Sequence, residues 1–280
     1  MPRLQVLRQT AKRIRMFRMQ DRMRRVLMIG VLIGGCGFAA QRLVSIGGRR
    51  LSIDCEGNAG NTPVVVLMAG GGRTAKDWSE VLPAIAKFAR VCSYDRAGLG
   101  ESDNPPGKSQ SADEIVDDLR RLLAAVSEKG PYIFVAHSAS GIFARRFAAT
   151  HPAETAGLVM VDSSHEEQLI RAQELNPRDP PPVENAARRG FLIKPGARLE
   201  WHTNVPMIVL CHGKSFPHTA EMSEEKWAAW ERIWREMQED LAKRSPRAEF
   251  RLAEQSGHFI QRDQPELVLQ AIRDVLRATE

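Results

Sequence analysis

The chain of 280 residues has two tyrosines, four cysteines and no apolar run as long as eighteen residues. Each shortage excludes something. Cys36, Cys55, Cys92 and Cys211 are too few and too scattered for a disulfide scaffold, and no CxxC or Cys/His spacing points to zinc. The expectation is buried free thiols, although Cys55 and Cys92 fall on expected strands and could pair in an oxidising compartment. No internal repeat or low-complexity tract is present, which excludes a solenoid. A basic face on the folded body is also missing. Residues 1–25 hold nine Arg or Lys against Asp21 alone, a charge of +8 within a total of +6, so the remaining 255 residues carry −2. The sequence pI near 9.4 therefore belongs to the tail, and the balance gives no support for nucleic acid as a partner.

The tail leads into residues 26–40, VLMIGVLIGGCGFAA, fifteen uncharged residues with four glycines. A helix of about 20 residues spans a bilayer core, so this run is short for a transmembrane helix and long enough for the apolar part of a signal peptide. Two expectations stay open: an uncleaved anchor with its basic side in the cytoplasm, or a cleaved export signal. Met16 or Met23 as the start would give ordinary signal proportions. IGGC at 33–36 is lipobox-like, which would make Cys36 a lipidation site. Either way the body lies outside the cytosolic face of a membrane, anchored or exported.

What is present in quantity is an alternation of short apolar runs with amphipathic stretches. With 43% apolar and 26% charged residues the chain is that of a folded protein. VVVLM at 64–68 is apolar throughout, as a strand covered on both faces must be. Further strands are expected at 50–55, 91–94, 132–136, 158–161, 207–211 and 248–253. Between them lie a helix around 79–88, a helix opened by the capping box Ser111/Glu114, and a closing helix led by Pro265. Repeated strand–helix units predict a doubly wound, mostly parallel α/β sheet. Residues 163–205, which contain NPRDPPPVENAARRG, are too long for a simple connection and read as a cap over the sheet. Residues 223–243 place Trp227, Trp230 and Trp234 at helical spacing. Core packing is the expected role of that stripe; the alternative is that one indole lines a pocket.

FVAHSASGIF at 134–143 passes from strand to helix through Ser138, whose neighbours Ala136 and Ser140 are small. Ligands of open α/β sheets bind beyond the carboxyl ends of strands, and a strained strand-to-helix turn exposes a nucleophilic hydroxyl. Such a turn brings the residues two before and two after together, so both must be small. The ordinary alternative is that Ser138 caps the helix. LMAGGGRTAKDW supplies a glycine loop able to aim a backbone N–H at a developing oxyanion, with Gly71 as the expected donor and Ala139 as the second. YDRAGLGES at 94–102 reads as loop structure held by Asp95 and Arg96. SGHFIQRDQPE sets His258 directly after the last strand. The acid that must orient it is less plain. The loop after 207–211 contains no Asp, and Glu221 is its first carboxylate. Asp162 ends the preceding strand in LVMVDSSH. Asp162 is preferred over Glu221, against the alternative that it caps the loop entering the lid.

From about Ile46 to Ala278 the chain resembles the α/β-hydrolase superfamily, carrying GGRRL, YDRAGLGES, VAHSASG, LVMVDSSH and SGHFIQRDQPELV in that order. The resemblance implies an eight-stranded, mostly parallel sheet, a Ser-His-Asp triad with Ser138 as nucleophile and His258 as base, and a short cap after the sixth strand, at about 163–205. In most relatives the acid follows the seventh strand, where this chain has no Asp, so Asp162 and Glu221 both stay open, with Asp162 preferred. It departs from the family pattern at Ala136 and Ser140, where glycines are usual, and at Ala69, where many relatives carry His. The expected function is a serine hydrolase of carboxylic esters that needs no cofactor and no metal. A small-molecule ester or related acyl compound would be its substrate, and residues 1–40 would be its contact with a membrane. The other reading is a non-catalytic binding or scaffold protein on the same fold.

Overall fold

The computed structural model describes residues 42–280 apart from 59, 61, 108, 176–202 and 216–222. The run 26–40 and its tail, Cys36, Glu221 and most of the expected cap therefore lie outside the described residues.

Eight strands form one sheet in the order β1-β2-β4-β3-β5-β6-β7-β8. They are β1 Arg42–Ser45, β2 Arg50–Glu56, β3 Val64–Met68, β4 Val91–Tyr94, β5 Tyr132–His137, β6 Thr155–Val161, β7 Met207–His212 and β8 Ala248–Ala253. β1–β2 and β2–β4 pair antiparallel, and every other pair is parallel. The sheet thus begins before Ile46, with a strand that the resemblance did not reach. The helices are α1 Leu82–Ile85, α2 Ala112–Ala125, α3 Ser140–Thr150, α4 Gln168–Leu175, α5 Glu224–Ala242, α6 Ile260–Asp263 and α7 Pro265–Ala278. The single helix expected around 79–88 is broken into a 3-10 turn at Ala75–Trp78 and the one-turn α1.

The period of two along β3 divides its side chains between two cores. Val64, Val66 and Met68 join Phe134 of β5, Ile115 and Leu119 of α2 and Phe147 of α3. Val65 and Leu67 join Trp78, Ile85 of α1 and Val268 and Ile272 of α7. This is why VVVLM has no polar member: both faces are covered. Phe134 and Phe147 set their ring centroids 4.5 Å apart in a tilted pair. Gly157 of β6 lets α7 approach closely, because a Cβ there would stand 2.3 Å from Val275 Cγ1. α2 opens on the expected capping box: Glu114 N donates to Ser111 Oγ and Ser111 N to Glu114 Oε2. Such caps contribute about 1 kcal/mol each.

One expectation is corrected here. Cys55 and Cys92 are not free thiols but form a disulfide. They are direct partners in the antiparallel β2–β4 register, which sets their Cα atoms 4.1 Å apart. The sequence separation of 37 residues concealed this proximity. Cys211 is a buried free thiol, as expected.

Candidate active site

The carboxyl ends of β3, β5, β6, β7 and β8 converge on one edge. β5 delivers Ser138. Its N–H donates to Val161 O at the end of β6 (3.1 Å), and its own carbonyl accepts from Gly141 N and Ser164 N. These bonds hold Ser138 at φ +52°, a left-handed conformation rare for a residue with a side chain. The helix cap reading fails, since α3 is capped at Ala139, with φ −52° and no side-chain bond. Ser138 stands before the cap, on a strained turn.

β6 delivers Asp162, itself at φ +43° and fully buried. β8 and the following turn deliver His258, whose Nδ1 lies 2.6 Å from Asp162 Oδ2. The structure therefore brings two of the three expected polar residues into direct contact, and the third is tied by its N–H to Val161, the residue before Asp162. The His258 ring packs 4.6 Å from the ring of His137, the neighbour of Ser138. His137 Nε2 donates to the His258 carbonyl at 2.9 Å. Burial, and then the nearness of His258, push the His137 imidazole down to about 3, so it stays neutral.

The glycine loop after β3 is tied to this turn. Gly70 is the only residue that fits, since a Cβ would stand 2.9 Å from His137 Nδ1 and 3.3 Å from Ser138 Cβ. Gly71 follows it and is exposed, while Ala139, next after Ser138, is buried. Arg96, buried after β4, donates to Ala69 O at 2.5 Å and Gly70 O at 2.6 Å. Its Nη1 also reaches Ser140 Oγ at 2.7 Å, and that hydroxyl donates to Ala69 O. The departure from glycine at 140 is thus a polar strut between the turn and the loop. Asp95 accepts from Ala75 N and Glu101 N. Both residues of the 95–96 pair hold loop structure, as read from the sequence.

Sequence reasoning missed three groups. His212, the last residue of β7, places Nδ1 at 2.8 Å from Asp162 Oδ2 and Nε2 at 2.8 Å from Glu231 Oε2 of α5. Trp234 donates its indole N–H to Asp162 Oδ1 at 2.9 Å. Of the tryptophan stripe, Trp234 is buried in a small core cluster and Trp230 packs against it, whereas Trp227 is half-buried and joins no core cluster among the described residues; Trp234 also bonds the acid. The available signal was a histidine before a glycine at a strand's carboxyl end, CHG at 211–213. Burial opposes the charge of Asp162, yet the hydrogen bonds from His212 and His258 prevail and hold its carboxyl well below the usual range. Burial likewise opposes the charge of His212, and its bonds to Asp162 and Glu231 raise it to about 9.

Asp162, Cys211 and His212 bring ligand-type atoms within 4.8 Å of one another. The carboxylate and imidazole are committed to the hydrogen bonds above, and burial keeps the Cys211 thiol protonated. The arrangement is suited to orienting protons. A cavity of about 420 Å³ adjoins the glycine loop, lined by Gly71, Gly72, Leu99, Asn104, Ile115 and Phe143 among others. Among the described residues no helix is long and apolar enough to cross a membrane.

A family model described as the alpha/beta hydrolase fold matches residues 63–199. The Bacillus subtilis protein YqjL is 26% identical over 256 residues, 87% of this chain and 89% of its own length. The Hormonema carpetanum protein named "Probable transporter efuK" is 35% identical over 129 residues, 44% of this chain, and the chain spans only 18% of its length. Among solved structures, an esterase from Thermogutta terrifontis superposes with a TM-score of 0.58 at 21% identity, covering 86% of this chain and 99% of that one. At this identity the structural likeness shows the fold. Sheet order, family model and structural neighbours together show the α/β-hydrolase fold, and residues 63–199 are similar to the family of that description.

Proposed function

We propose that the chain is a serine hydrolase acting on carboxylic esters through an acyl-enzyme on Ser138, with His258 as base and Asp162 as the orienting acid. The observation that carries this reading is the 2.6 Å contact of His258 Nδ1 with Asp162, together with a serine held at positive φ at the end of β5, the strand paired with β6. Asp162 accepts the Nδ1 proton, which leaves Nε2 of His258 as the lone-pair nitrogen. Ser138 Oγ attacks the ester carbonyl carbon and its proton passes to that nitrogen. The carbonyl π pair moves onto oxygen, where Gly71 and Ala139 N–H groups would receive it. Collapse breaks the ester C–O bond, and the departing alcohol takes the proton from His258. Water repeats the sequence and releases the acid. No step requires a cofactor. The cavity beside Gly71 is the proposed seat of one substrate arm, and its mixed lining suits a small ester. The scaffold reading rests on the altered elbow alone, and the struts at Ser140 weaken that support.

A fluorophosphonate probe on the full chain tests this directly. Labelling of the wild type and none of Ser138→Ala is expected, whereas equal labelling of both would end the assignment. A folded wild type that takes no label would favour the binding protein. For location we propose that residues 1–40 hold or export the domain at a membrane. The intact chain should then fractionate with membranes in a bacterium, and a wholly cytosolic chain would refute this. Globomycin-sensitive processing would single out Cys36.

A further inference from the structure

The acid of the proposed triad faces two imidazoles rather than one. Asp162 Oδ2 receives His258 Nδ1 at 2.6 Å and His212 Nδ1 at 2.8 Å. Its Oδ1 receives the His212 backbone N–H at 3.1 Å and the Trp234 indole at 2.9 Å. The second nitrogen of His212 does not end in solvent or on a carbonyl. It meets the Glu231 carboxylate at 2.8 Å, so both ring nitrogens face anionic oxygens. Only an imidazolium donates from both nitrogens at once. A continuous chain of charge-assisted bonds thus runs Glu231, His212, Asp162, His258.

We propose that His212 is a positioning residue of the site, donating from both ring nitrogens to fix the rotamer of Asp162 and limit how strongly that carboxylate holds a proton on His258. The inference rests on the serine hydrolase reading. Its physics is a competition for one anion. A lone buried aspartate would stabilise the protonated form of His258 and restrict the free base to higher pH. A fixed positive ring on the same carboxylate opposes that stabilisation while retaining the orienting bond. The rise of His212 to about 9 agrees with this geometry. Among the described residues, the titratable groups around His212 include Asp162 from β6, His258 beyond it, Cys211 of β7, and Glu231 with Arg232, Arg235, Glu236 and Glu239 from α5. The last five border a cleft of about 310 Å³ with Cys211 and His212. This opens the far side of the chain of bonds to proton exchange. Glu231 also ties α5 to the edge of the sheet, so the helix carrying Trp234 is held by the same ring.

The test uses the full chain and two readouts. His212→Asn keeps an amide donor near the Nδ1 position without the charge. The acid limb of fluorophosphonate labelling should then rise by about one pH unit, the scale of one charge at this range in a partly screened site. Histidine-selective NMR should show the wild-type His212 ring protonated through pH 8, and Glu231→Gln should bring its titration down toward neutrality. A purely structural His212 would lower the amplitude or the melting temperature and leave the limb where it was. A labelled wild type with an unmoved limb in His212→Asn overturns this inference alone, as does a His212 ring titrating near its ordinary range. Absence of Ser138 labelling at every pH overturns the function and this inference together.

Discussion

His258 Nδ1 and Asp162 Oδ2 lie 2.6 Å apart although 96 positions separate them in the chain. The pair exists because β6 and β8 flank β7 in the same parallel register and all three stop at one edge. Asp162 is also the acceptor for His212 and Trp234, so its removal acts on the fold as well as on chemistry.

Asp162→Asn should therefore lose about 10⁴ in ester turnover, the cost of misorienting the base. It should also lower stability by about 1–3 kcal/mol, because His212 and the Trp234 indole would face a neutral amide. A drop of several degrees in Tm by calorimetry is the check. An unchanged Tm would mean that these bonds contribute little, and full turnover would remove Asp162 from the proposed triad.

Ser140→Gly restores the more usual elbow residue but removes the strut to Arg96 and Ala69 O. Both Ser140→Gly and Ser140→Ala should label more slowly than wild type and unfold earlier, by about 1–3 kcal/mol for a buried bond left unmade. A Ser140→Gly variant that is faster than wild type would contradict the strut.

Gly70→Ala forces a methyl against His137 Nδ1 and Ser138 Cβ. Displacement of reacting groups by about 1 Å can cost 10²-fold, and the rate constant for probe labelling should fall on that order. Wild-type rates would show that the loop yields without moving Ser138.

The pH dependence of stability should carry the signature of His212. Its pKa is raised from 6.5 to about 9, so the stabilisation it supplies is complete below pH 6.5 and lost as pH climbs through 9. Asp162 is shifted the other way. Its contribution is full above pH 3.8 and disappears only as pH falls through a value well below that. Between pH 7 and 9.5 the Tm of the wild type should decline more steeply than that of His212→Asn, measured in the same buffers. Parallel curves would show that the ring is not held charged.

The sequence by itself determined the local features. VVVLM could only be a strand covered on both faces, Ser111 and Glu114 could cap a helix without help from any distant residue, and His258 had to follow the last strand. Small residues around Ser138 signalled a tight turn because steric demand there is local. Tertiary structure decided whatever depends on which strand ends meet. Asp162 enters the site because β6 lies between β5 and β7, and no periodicity reports that order. Glu221 lies outside the described residues, and the proposed role of Asp162 is supported by its contact with His258. The Cys55–Cys92 bridge depends on the β2–β4 register. His212 and Glu231 face each other only because α5 packs over the end of β7. Ser140 looked like a lost glycine, and only the buried guanidinium of Arg96, 44 positions away, shows it as a bonded strut.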